Sequence, residues 1–140
     1  MDGRRTRAAA GAGAPALAAA LLLGGCGTPV EQDAARAAGE GFAAALRAGD
    51  GERACALLAP RTLEELESSA GRPCPAAVLS EGLPVPGALV ASDVWGRQAR
   101  LEMARDVLFV AVAPGGWRVT AAGCSWRGED VPYDCSVQGG

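Results

Sequence analysis

The chain has 140 residues, 49% of them hydrophobic and 21% charged, with a formal charge of −3 and no histidine, which is enough for one domain and small for two. An acidic balance without a basic face excludes nucleic acid as a partner recognised by charge. The missing histidine removes the commonest general base and the commonest metal ligand together.

Arg4, Arg5 and Arg7 form a positive n-region, and Ala8 to Leu23 is an almost uncharged Ala/Leu segment broken only by Pro15, the pattern of an export signal. A retained membrane-spanning helix would need about 20 apolar residues, and this run is slightly short and closed by Gly24-Gly25-Cys26-Gly27. Leu21 to Cys26, LLLGGC, resembles a bacterial lipobox: an aliphatic residue, two residues without bulk, then a cysteine that receives a lipid before a peptidase cuts in front of it. The resemblance implies that residues 1–25 are a lipoprotein signal peptide and residues 26–30 a lipidated cysteine (Cys26) and tether. Residues 31–140 are then a single extracytoplasmic domain, lipid-anchored at the cell membrane.

In the exported part, Ala35, Ala38, Phe42, Ala45 and Leu46 recur at helical spacing and predict a helix over Glu31 to Ala48. Gly39 and Gly41 inside it each cost about 1 kcal/mol against alanine, so packing through Phe42 must hold it. Asp50 is placed to cap a second helix that Pro60 closes, and Thr62 with Glu65 forms a capping box for a third, which Gly71 stops. Pro73-Cys74-Pro75 opens a short helical turn through Val78 and Leu79.

After the proline-rich Leu83 to Gly87 the period changes to two, and strands are predicted at Leu89 to Trp95, Arg97 to Met103, Val107 to Ala113 and Trp117 to Cys124. Val107 to Ala113 is a continuous apolar run, as a strand covered on both faces would be. Short turns imply an antiparallel meander, and Ser125 to Gly140 reads as a loop. Helices first and strands second predict an α+β fold, with N-terminal helices on one face of a curved antiparallel sheet of about four strands.

With Cys26 consumed by lipid, Cys55, Cys74, Cys124 and Cys135 form an even set in an exported chain, the usage of disulfides. Of three connectivities the two local ones, Cys55 with Cys74 and Cys124 with Cys135, are favoured, each stabilising by about 3 kcal/mol on the chain-entropy model. No Cys-x-x-Cys pair suggests zinc or a redox site.

The run FAAALRAGDGERACALLAP, Phe42 to Pro60, followed by a helical turn and a meander, resembles the opening of the nuclear-transport-factor-2-like superfamily, which includes SnoaL-like cyclases. VWGRQARLE, GWRVTAAGC and PYDC are similar to segments of small lipoproteins of GC-rich Gram-positive bacteria. The resemblance implies a cone-like sheet enclosing an apolar pocket, to which Trp95, Phe109 and Trp117 would contribute walls and Asp93 a carboxylate. No catalytic residue is carried over from the superfamily.

Trp126 and Tyr133 lie in the loop that Cys124 and Cys135 would clamp, and such rings anchor interfaces. Glu129, Asp130 and Asp134 in that loop do not follow the calcium-loop pattern, so neither a metal nor another cofactor is expected. The expected function is a non-enzymatic binding or interaction domain, its partners the membrane through Cys26 and either an envelope protein or a small apolar ligand. The alternative is a small-molecule binder or SnoaL-like enzyme with Asp93 and Tyr133 as acid/base candidates.

Overall fold

A computed structural model describes residues 28–139; the expected export signal and Cys26 lie outside the described residues. The first helix, α1, runs from Pro29 to Ala48, two residues earlier than expected. Thr28, assigned to the tether, is its N-cap: its hydroxyl accepts from the Glu31 N–H at 3.3 Å, and Pro29 begins the helix with a preset φ. Ala35, Ala38, Phe42 and Ala45 form its buried stripe. Gly39 has a packing reason, because a Cβ there would run into the Leu101 side chain on the sheet. The propensity that glycine sacrifices allows helix and sheet to approach closely.

Helix α2, Gly51–Ala56, is capped by Asp50, whose Oδ1 accepts from the Arg53 N–H at 3.0 Å. Helix α3, Pro60–Ala70, departs from the sequence reading. Pro60 opens it rather than closing its predecessor, and Thr62 lies inside it, donating its hydroxyl hydrogen bond to the Thr120 carbonyl at 3.1 Å. The expected capping box therefore does not form. The cause is tertiary: Val119 N–H donates to Leu57 O and Ala59 N–H to Val119 O, both at 2.8 Å, so Leu57 to Ala59 is stitched to the sheet immediately before Pro60. Helix α4, Cys74–Ser80, is tied to α2 by the Cys55–Cys74 disulfide, with a Cα–Cα distance of 6.0 Å. Glu67 on α3 accepts from the Cys74 N–H at 2.8 Å and so caps α4 from outside.

Five strands follow: β1 Leu89–Trp95, β2 Gln98–Met103, β3 Val107–Ala113, β4 Gly116–Ser125 and β5 Asp134–Gln138. They form one open antiparallel sheet in the order β1-β2-β3-β4-β5. The fold is α+β, with one strand more than expected, since β5 lies in the tail read as a loop. Only Val137 of β5 is buried, too little apolar alternation to stand out. The second disulfide, Cys124–Cys135, joins residues directly opposite each other on β4 and β5.

The helices lie on one face only. Phe42 from α1 joins Leu101, Leu108, Val110 and Val119 in one buried cluster there. Strand β3 thus corrects the expectation of a strand covered twice: Leu108 and Val110 are buried, while Phe109 and Ala111 on its other side are half-exposed. No helix among the described residues is long and apolar enough to cross a membrane.

Candidate functional site

The face of the sheet away from the helices carries a row of registered partners: Asp93, Arg100, Phe109, Ala121 and Gln138, one from each strand from β1 to β5. Thr120 is an extra residue on β4, a bulge between the pairs Phe109–Ala121 and Val110–Val119. The extra residue shifts the alternation by one, so that Ala121 lies outward beside Phe109 although Val119, two residues earlier, faces the helices.

Arg100 organises one end of this row. Its Nε and Nη2 donate to Asp93 Oδ2 at 3.2 and 2.7 Å, and its Nη1 donates to the Tyr133 hydroxyl oxygen at 3.1 Å. The hydrogen bond to Asp93, then that to Tyr133, push the guanidinium further toward its charged form. Both members of the ion pair reach solvent, so it contributes well under about 1 kcal/mol to stability. Its effect is geometric, because it draws Tyr133 from the β4–β5 loop across the sheet. The Tyr133 ring then meets Phe109 edge to face, with centroids 5.2 Å apart and planes at 70°.

Beside this pair lies an open groove of ≈ 570 Å³ with Gln98, Ala111, Thr120, Ala121 and Gln138 around it. A second, more apolar cleft of ≈ 470 Å³ lies between the start of α3 and the β3–β4 hairpin, with Pro60, Arg61, Ala113 and Pro114 among its walls. Both volumes fall within the range of small-ligand sites.

The residues expected to share a pocket are separated. Trp117 faces the helices and is 7% exposed, filling the core, whereas Phe109 lines the groove on the opposite face. Trp95 ends β1 at 45% exposure, and Asp93 pairs with Arg100. Trp126 and Tyr133 also part: Trp126 stays 65% exposed, while Tyr133 folds onto the sheet. In the same loop Arg127 donates through Nη1 to Asp134 Oδ2, at the start of β5, at 3.1 Å. Among the described residues no three His, Cys, Asp or Glu side chains gather to hold a metal ion.

Sequence reasoning missed Arg100, Gln98, Gln138, Arg61 and Asp106. Alternation put Gln98 and Arg100 on the polar side of β2, but nothing local announces a partner seven residues before Arg100 or 33 after it. Asp106 is 8% exposed, and its carboxylate accepts from the N–H groups of Val107 at 2.7 Å and of Gly123 and Cys124 at 3.0 Å. Burial raises its pKa above the ordinary carboxyl value, against the opposing pull of these three donors. It clamps the β2–β3 turn to β4 rather than facing the groove.

No protein-family model, curated protein or solved structure matches the chain.

Proposed function

We propose that this chain is a lipid-anchored extracytoplasmic protein whose domain binds its target on the open face of the sheet without transforming it. The observation behind this reading is that β3 is apolar on both sides while helices cover only one, leaving Phe109 and Ala111 half-exposed in a groove. The target is an envelope protein or a small apolar ligand. The lipobox resemblance at Leu21 to Cys26 supports the anchor, and two disulfides suit an oxidising compartment. The order of helices followed by a meander supports a nuclear-transport-factor-2-like, cone-like relationship, with the helix side filled by Phe42 and Leu101. As for a SnoaL-like enzyme, Arg100 engages both acid/base candidates, Asp93 and Tyr133, which favours holding a target over moving protons.

Two measurements test the proposal. Replacing Cys26 with serine is expected to abolish lipid attachment and membrane retention while both bridges form. A mispaired product, or one that stays membrane-bound, would refute the anchor. A photo-crosslinking amino acid at Gln98 is expected to capture one predominant species from the host envelope, and the same probe at Glu40, exposed on α1, to capture none. Equal capture from both positions would overturn the choice of face.

A further inference from the structure

The two depressions on the open face adjoin each other. The groove beside Phe109 and the cleft beside α3 share Ala111, Thr120 and Gly139, so together they make one trough along the outward side of β3. Its floor is Phe109, Ala111 and Ala113, with Ala121 beside them on β4. From Phe109 to Ala113 it runs about 13 Å at the usual strand rise. The alanines keep it open, since any larger residue at Ala111 or Ala121 would fill it. Tyr133 bounds one end, and Pro60 and Arg61 stand at the other.

Charge is distributed unequally along the trough. At the Tyr133 end Arg100 is neutralised by Asp93. At the α3 end Arg61 makes no hydrogen bond or ion pair within the described residues. Arg118, registered opposite Ala111, donates to the Trp117 carbonyl and lies against the Gly115 turn, outside the walls of both depressions. An unneutralised guanidinium at the wall of the apolar α3 cleft complements one kind of ligand: an apolar chain that ends in an anion.

We infer that the trough binds a long-chain carboxylate of the fatty-acid type, its alkyl chain along β3 and its carboxylate at Arg61. A single chain fits better than the two of a phospholipid, because the groove is bounded by Gln98 on β2 and Gln138 on β5. The inference rests on the binding reading above and names its ligand class.

The test uses the lipidated full chain reconstituted in phosphatidylcholine vesicles, with dodecanoate carrying a terminal diazirine as the photoprobe and mass spectrometry to locate the label. Label is expected on the β3 peptide, suppressed by unlabelled dodecanoate but not by dodecanol. Arg61→Gln should reduce it about tenfold, as loss of one charge-assisted contact predicts, whereas Glu64→Gln, exposed on the same helix, should leave it unchanged. Ala111→Trp should abolish it by filling the channel. Equal suppression by dodecanol, or full labelling of Arg61→Gln, would overturn the anionic ligand while leaving an apolar binding groove in place. Absence of label from β3 would also overturn the inference, and the capture experiment at Gln98 then decides independently whether that face binds anything else.

Discussion

Replacing Asp106 with alanine is expected to destabilise the domain by about 3–5 kcal/mol, since it strands donors that each cost about 1–3 kcal/mol when buried without a partner. Its carboxylate serves the N–H groups of Val107, Gly123 and Cys124 together, and some rehydration keeps the total below the simple sum. Against a typical stability of about 5–15 kcal/mol, the loss is large enough to read directly as a shift in urea midpoint. Asp106→Asn keeps an oxygen for Val107 and Cys124 but sets its NH2 donor against the Gly123 N–H, so a loss of about 1–2 kcal/mol is expected. An alanine variant as stable as the parent would show that solvent reaches these amides.

The same carboxyl sets a pH signature. Burial raises its folded-state pKa above the unfolded value, so between the two values the folded chain holds a proton that the unfolded chain has released. The group's contribution is therefore most favourable below the unfolded pKa and declines as pH rises through the folded one. The parent should gain stability relative to Asp106→Asn as the buffer is taken from neutral toward about pH 4, the ordinary aspartate region. Parallel stability curves for the two proteins would assign the proton elsewhere.

Local signals account for most of the elements. Periodicity located the stripe of α1 and the outward side of β2, and Asp50 and the glycines after α1 and α3 marked helix ends by their own chemistry. The misreadings have a common origin in partners distant along the chain. Thr62 matches a capping box locally, yet its hydroxyl serves Thr120 on β4, because Leu57 to Ala59 had already joined the sheet. Strand β5 contributes one buried side chain and owes its existence to the register with β4. The candidate site was legible only as a contradiction: the apolar run of β3 demanded cover on both faces, and a chain with helices enough for one leaves the other open. The Arg100 contacts with Asp93 and Tyr133 depend on sheet register and on the path of a loop, neither of which spacing encodes.

Substituting Gly51 with alanine is expected to reduce stability by about 3 kcal/mol, at the upper end of overpacking penalties, although alanine is favoured over glycine in a helix by about 1 kcal/mol. The steric effect wins because of what the new methyl meets: the carbonyl oxygen of Pro75, with its carbonyl carbon and Cα at 2.9 Å, all backbone and unable to turn aside. Gly41→Ala supplies the contrast. There the nearest atom is the Leu57 Cδ1 at 3.2 Å, the free end of a rotatable side chain, so the propensity gain should survive and the variant should be neutral or slightly stabilised. The Cys55–Cys74 bridge tightens the Gly51 clash, since it pins α2 to α4 where α4 would otherwise recede. In a background with both cysteines replaced by alanine the penalty of Gly51→Ala should shrink, giving a measurable coupling between the sites. The displacement should travel further, because α2 leads directly into Leu57, whose carbonyl accepts from the Val119 N–H, and on to Pro60 and Arg61 at the mouth of the trough. Faster hydrogen exchange at Val119 in Gly51→Ala would report that movement. Unchanged exchange together with full stability would mean that α4 yields freely and that the bridge does not fix the position of the α3 end of the site.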